Sequence, residues 1–261
     1  MKIIDLSSFV ETNDGEPNAI EYQRIDYKNG AKLICENVKM HFGIENEKIC
    51  PEAFPNGEFI TKETIKLETH MGTHIDAPSH FGSLCEGKTP KTIDECPLEW
   101  FLGNGVLIEV KKKGGEFITK EDIIIELKKK NYNLQKGDIV LISTGTDKLW
   151  GTKEYFSNAP GMSCEAVEYI LSFGVKVIGI DTYSFDRPFK NMLNDFIQTG
   201  EKSNLWPTHF LGREKEYVHI ERLQNLKALT SVERFNVACF PIKLKGMDAA
   251  WTRAVAIIED E

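Results

Sequence analysis

The sequence predicts a mixed α/β domain built round a β-rich core with a few flanking helices. Three observations carry this. Several short apolar runs have strand length, only a few stretches have helical periodicity with caps, and no Pro/Gly/Ser linker splits the 261 residues, so one domain over 1–261 is expected. In order, Ile3 to Leu6 reads as a short apolar strand. Residues 11–58 read as loop-rich, with turn pairs at Asp14-Gly15, Asn29-Gly30 and Asn56-Gly57. Phe59 to Leu67 alternates as a strand does, and Gly105 to Val110 has the continuous apolar character of a buried one. Thr119 is placed to cap a helix, with Asp122 completing a capping box and Ile123, Ile124 and Leu127 as the apolar stripe. Lys128 to Lys130 then fall at its C-terminal end, where the helix dipole favours positive charge. Asp138 to Ser143 is a strand. Cys164 to Phe173 is a helix with Ala166, Ile170 and Leu171 inward and Gly174 as its stop. Val175 to Asp181 is a strand, and Phe235 to Leu244 and Thr252 to Ile258 are expected to be antiparallel strands.

Composition narrows the function. Hydrophobic residues make up 41% and charged residues 28%, which is ordinary for a globular chain. A net charge of −8 argues against a nucleic-acid partner, since no dominant basic surface is present to displace counterions. No apolar run reaches the roughly 18 residues of a membrane span, and MKIIDLSSF lacks the pattern of a secretory signal. Six scattered cysteines without a CxxC pair are expected to be reduced thiols of a cytoplasmic protein.

The chemistry concentrates in His70 to Phe81, HMGTHIDAPSHF, which holds three of the six histidines. His70, His74, Asp76 and His80 share parity, so an extended chain would place them on one face. A helix is disfavoured by Gly72, Pro78 and the β-branched Thr73 and Ile75. A straight strand is excluded too. It would separate residues 70 and 76 by about 20 Å, whereas ligands of one ion must each lie about 2.0–2.2 Å from it. The segment must therefore bend, with Gly72 as the place for the bend and Ala77-Pro78 turning His80 back. Imidazoles and a carboxylate suit zinc, manganese or iron. His70, His74 and Asp76 make a three-ligand set that leaves room for water, the arrangement of a catalytic rather than a structural ion.

This stretch resembles the signature of the metal-dependent cyclase/hydrolase family, His-x-Gly-Thr-His-x-Asp-x-Pro-x-His-Phe, at every fixed position. The family includes bacterial kynurenine formamidase and isatin hydrolase. Similar stretches follow at Gly87-Lys88-Thr89, Ser143-Thr144-Gly145-Thr146, Pro160-Gly161-Met162 and Ile178-Gly179-Ile180-Asp181 with Ser184, Asp186 and Pro188. The last is Arg253-Ala254-Val255-Ala256. The resemblance implies a swivelling β/β/α, cyclase-like fold and a homo-oligomer, dimer or tetramer. It also implies a second ligand pair, His209 and Glu221, twelve residues apart, with Asp76 able to bridge one or two ions of zinc or manganese. His219, two residues from Glu221, is the rival ligand by strand parity, and His41 is read as structural.

The expected activity is metal-dependent hydrolysis of a small amide. The ion brings the pKa of water toward about 7, and the water cleaves a carbon–nitrogen bond as in an arylformamidase or an isatin-like lactamase. His80 is the expected general acid/base, since imidazole ordinarily titrates near neutrality. Asp181, Ser184 and Asp186 are expected either to orient the site or to serve the turn at a strand end. Phe42, Phe54, Phe59, Phe196 and Trp206 are candidate pocket walls, with core or a dimer interface as the alternative. The alternatives are a lactone or ester hydrolase or cyclase of the same family, and a non-catalytic metal-binding module.

Overall fold

The computed structural model describes residues 1–16 and 18–259. Its elements in chain order are β1 (Lys2–Asp5), β2 (Glu21–Ile25), α1 (Tyr27–Phe42), β3 (Lys62–Lys66), β4 (His74–Asp76), α2 (Pro78–Phe81) and β5 (Leu102–Glu109). Next come β6 (Phe117–Ile118), α3 (Lys120–Lys129), β7 (Ile139–Ser143), α4 (Lys153–Ser157), β8 (Gly161–Met162), α5 (Cys164–Leu171) and β9 (Val177–Ile180). The chain ends with α6 (Phe189–Thr199), α7 (Pro207–Leu211), β10 (Val218–Glu221), β11 (Asn236–Ala238), β12 (Ala249–Trp251) and β13 (Val255–Ile258). The architecture is mixed α/β, as the sequence predicts. The chain groups into two compact units: Met1–Pro17 with Thr69–Glu261, and Asn18–Glu68. No helix among the described residues is long and apolar enough to cross a membrane.

The larger unit carries a nine-stranded sheet in the order β1-β13-β11-β5-β7-β9-β10-β4-β12. Its centre, β5-β7-β9-β10, is parallel, and both flanks are antiparallel. Parallel neighbours need crossovers. Here α3 lies between β5 and β7 in the chain, α5 between β7 and β9, and α6 and α7 between β9 and β10. Strand alternation divides the core. Val106, Ile108, Val140, Ile142, Ile178 and Ile180 pack with Ile123, Leu127, Ala166, Val167 and Ile170 of α3 and α5. Leu107, Leu141 and Val177 join Ile75, Ile220, Val237 and Ala256 on the other side. The predicted capping box holds, and a second cap is present. Thr119 and Asp122 form the capping box of α3, which contributes about 1 kcal/mol at such ends, and Ser163 caps α5. Inward from α5 face Ala166, Val167 and Ile170, while Leu171 is only half-buried.

The smaller unit departs from the loop-rich expectation. It holds a 16-residue helix, α1, capped by Asp26, and the antiparallel pair β2-β3. The expected turn at Asn29-Gly30 lies inside α1. A Cβ on Gly30 would sit 2.6 Å from the Ile60 carbonyl oxygen, so this glycine serves close packing of a helix and not a turn.

Candidate metal centre

The site is built on β4 and β10, which pair antiparallel with His219 opposite Asp76 and Glu221 opposite His74. Alternation sends these four side chains to one face of the pair, while Ile75 and Ile220 enter the core from the other. Other elements complete the cluster. Gly72 bends the chain in the left-handed region, at φ +61°, and so returns His70. Pro78 starts the one-turn helix α2 that carries His80. The helix α7 carries His209, and Asp248 lies immediately before β12. Five of the six histidines thereby meet; His41 lies on α1 in the smaller unit.

Two carboxylates stand between two groups of imidazoles. Asp76 Oδ1 is 2.8 Å from His70 Nδ1 and 3.3 Å from His74 Nε2, and Glu221 Oε2 is 3.6 Å from His74 Nε2. On the other side, Asp76 Oδ2 is 2.7 Å from His219 Nε2 and 3.7 Å from His209 Nε2. Glu221 Oε1 lies 3.4 and 3.7 Å from the same two nitrogens. Donors about 2.0–2.2 Å from one tetrahedral ion stand about 3.2–3.6 Å apart, so several of these separations already suit a shared cation. His74 Nε2 and Asp76 Oδ1 are buried and have no hydrogen-bond partner among the described residues. The 2.8 Å approach of His70 Nδ1 to Asp76 Oδ1 thus brings two donor atoms together outside hydrogen-bond geometry. Buried polar atoms normally find partners. A divalent cation is the partner that imidazole nitrogens and carboxylate oxygens would share, and these residues fit one.

The outer nitrogens separate ligand-like histidines from the rest, because a ligating imidazole usually donates its second N–H to a fixed acceptor. His74 Nδ1 donates to the Gly72 carbonyl at 2.8 Å, His209 Nδ1 to Asp186 Oδ2 at 2.6 Å, and His70 Nε2 faces Asp248 Oδ2 at 3.3 Å. His219 Nδ1 has no such partner among the described residues, and its Nε2 bonds Asp76 directly. By this criterion His209 has the ligand-like arrangement and His219 does not, though both stand in one donor cluster with Asp76 and Glu221. Glu221 is held by the Phe185 backbone N–H at 2.8 Å.

Electrostatics agree with a site short of positive charge. Burial disfavours the His70 imidazolium, yet Asp76 and Asp248 hold its pKa at about 10. Burial likewise opposes protonation of His209, and Asp186 lifts it to about 9. Burial keeps His219 below the ordinary imidazole value, despite the pull of Asp76. Two imidazoles therefore carry protons that a metal ion would replace.

The three expected orienting residues divide. Asp186 bonds His209 Nδ1 and accepts from the Thr208 and His209 backbone N–H groups. Asp181 instead accepts from Thr144 N, Thr144 Oγ1 and Gly145 N, fixing the turn after β7. Ser184 lines a cavity of about 250 Å³ with Asp186, Phe156, Tyr183, Phe189 and Trp206. Of the aromatic residues expected as walls, Trp206 is there and Phe196 is not; Phe42, Phe54 and Phe59 belong to the smaller unit, where the Phe54 and Phe59 rings pack tilted at 56° with centroids 5.0 Å apart. Larger cavities of about 590 and 600 Å³ have no histidine in their walls. Sequence reasoning missed Asp248, whose Oδ2 lies 3.2 Å from His80 Nδ1 and 3.3 Å from His70 Nε2. No local pattern marks it, since it is 168 residues from His80.

Comparison with known proteins finds relatives of this fold. Isatin hydrolase of Roseibium aggregatum is 24% identical over 216 residues, covering 78% of this chain and 77% of that protein. Kynurenine formamidase of Bacillus cereus is 29% identical over 122 residues, 47% of this chain and 51% of that one. The crystal structure of an isatin hydrolase bound to the product analogue thioisatinate superposes with a TM-score of 0.70 at 19% identity, over 99% of this chain and 93% of the other, and so shares the fold. Residues 4–187 match the family model described as "Putative cyclase", and the chain belongs to that cyclase family.

Proposed function

We propose that the protein is a metal-dependent hydrolase of a small carbonyl compound, adding water across a carbon–nitrogen bond of an amide or lactam to give an acid and an amine. The observation that carries the reading is the meeting at Asp76 of two donor clusters, His70-His74-Asp76 and Asp76-His209-His219-Glu221, in which His74 Nε2 and Asp76 Oδ1 have no hydrogen-bond partner among the described residues. The relatives named isatin hydrolase and kynurenine formamidase support the choice of bond.

Zinc or manganese held by His70, His74, Asp76, His209 and Glu221, as one or two ions, would supply a Lewis acid and bring the pKa of water toward about 7. The chain's own residues do the rest. Asp186 and the Gly72 carbonyl fix the tautomers of His209 and His74, so that Nε2 of each faces the cluster. Asp248 occupies His80 Nδ1, which leaves His80 Nε2 turned inward, 3.8 Å from Asp76 Oδ2. From there His80 can take a proton from the attacking water and return it to the leaving nitrogen. His70 and His80 are partly exposed while His74 and Asp76 are buried, so substrate reaches the cluster from the His70 and His80 side.

The test is metal analysis of the purified protein, then hydrolysis of N-formylkynurenine, isatin and small lactones with added zinc or manganese. We expect bound metal, C–N hydrolysis that chelation abolishes, and a chelated protein that stays folded. Unfolding on chelation would mark a structural ion, and turnover of lactones alone would move the reading to ester hydrolysis. We further propose a homo-oligomer in the cytoplasm, the first part checked by light scattering.

A further inference from the structure

We infer that Glu16 is a positioning residue for the metal centre, fixing through one carboxylate oxygen the two backbone segments that carry opposing ligands. The inference rests on the metal-site reading above. Glu16 and Arg222 are 1% and 3% exposed and form an ion pair through Glu16 Oε2 and Arg222 Nη1. The same Oε2 accepts the Gly72 backbone N–H at 3.3 Å. Gly72 forms the bend between His70 and His74, and its carbonyl receives the His74 Nδ1 proton. Arg222 directly follows Glu221 and takes the left-handed conformation at φ +61°. Its carbonyl accepts from Thr73 Oγ1 at 2.6 Å, so the two segments are tied a second time.

Register explains why this tie matters for the donors. Glu221 pairs with His74 at the ends of β10 and β4. Glu16 bridges the residue just beyond Glu221 and the residue two before His74. The separation of Glu221 Oε2 from His74 Nε2, 3.6 Å, therefore depends on where Glu16 holds both strand ends. Arg222 is itself restrained from turning. Its guanidinium lies 3.9 Å over the Tyr183 ring, and its Nε donates to the Tyr183 carbonyl at 3.2 Å. A purely stabilising role is a poor account of this arrangement. A buried ion pair recovers little net stability over an apolar pair of similar volume, whereas a carboxylate shared by a bend and a strand end fixes geometry.

The test uses the full chain in two variants, Glu16→Gln and the double substitution Glu16→Leu with Arg222→Met, which leaves no unpaired buried charge. Three properties are measured against wild type: apo stability by urea unfolding, metal affinity by chelator competition, and the visible absorption of the cobalt-substituted protein. We expect the double variant to fold without metal, to bind zinc and cobalt about 10- to 100-fold more weakly, as loss of a ligand-orienting contact does, and to show a shifted cobalt spectrum. Unchanged affinity and an unchanged spectrum overturn the inference. Failure of both variants to fold without metal also overturns it, since the pair would then hold the core and not the donors. If wild type itself takes up no metal, the proposed function fails instead, and the same titration reads that.

Discussion

Asp248 faces two histidines at once, His70 Nε2 at 3.3 Å and His80 Nδ1 at 3.2 Å. One carboxylate therefore orients a candidate ligand and the candidate acid/base together. For His80→Ala we expect full metal content and a fall in kcat of about 10²- to 10⁴-fold, the usual contribution of a placed acid/base. For Asp248→Asn we expect a smaller fall, about 10-fold or more, because His80 remains but its ring is freer. Steady-state kinetics at saturating metal, with metal content measured on the same samples, decides both. A His80→Ala protein that loses metal yet keeps its rate per bound ion would make His80 a ligand. At this scale the sequence was most legible where chemistry is local: His70, His74, Asp76 and His80 lie within eleven residues, and their shared parity carries geometric information. Asp248 and Glu16 were invisible, because each reaches the site from a distant part of the chain and neither has a spacing to read.

The bend at Gly72 turns a row of same-face residues into a cluster. Two physical constraints meet there. Its φ of +61° is costly for any residue with a side chain, and a Cβ would sit 2.9 Å from Val10 Cγ2 and 3.0 Å from the Phe9 carbonyl oxygen. Gly72→Ala should therefore destabilise the apo protein by about 1–3 kcal/mol and weaken metal binding by displacing His70 and His74. Urea unfolding in chelator and a chelator-competition titration would show the two effects; an alanine variant with wild-type metal affinity would mean that the bend does not place the ligands. Other elements were legible to the extent that burial imposes a pattern. The continuous apolar runs of β7 and β9, buried on both faces, fix those strands. The helix α1 was missed although Ala31, Ile34, Cys35 and Val38 recur at helical spacing, because Asn29-Gly30 reads as a turn and only Gly30 and Ala31 are fully buried. The helix α6 does carry such a stripe, Phe189, Met192, Leu193 and Phe196, yet buries only Met192 fully, and it was missed.

Across the whole molecule, protons and metal compete for the same nitrogens, and this sets how stability responds to pH. In the apo protein the folded-state values of His70 and His209, about 10 and about 9, lie above the roughly 6.5 of an unfolded histidine. Both rings therefore favour the folded apo state most below about pH 6.5, and that contribution disappears as pH rises through 9 to 10. Ligation needs the neutral rings, so the metal-bound protein gains as the unfolded rings lose their protons up to about pH 6.5 and does not share the apo loss above it. Asp76 and Asp248, held below the usual carboxylate range despite burial by the histidines round them, titrate far from this window. Three outcomes follow for thermal unfolding and calorimetry. Metal at 100 times its Kd should add about 2.7 kcal/mol, which raises Tm by roughly 5–10 °C for a chain of this size. The gap in Tm between metal-bound and chelated protein should widen steadily from pH 6.5 to 9. Metal uptake near pH 8, measured in buffers of different ionisation enthalpy, should release about three protons, two from the imidazoles and one from the bound water. A gap that stays constant with pH, together with no proton release, would mean that His70 and His209 are not where the ion binds.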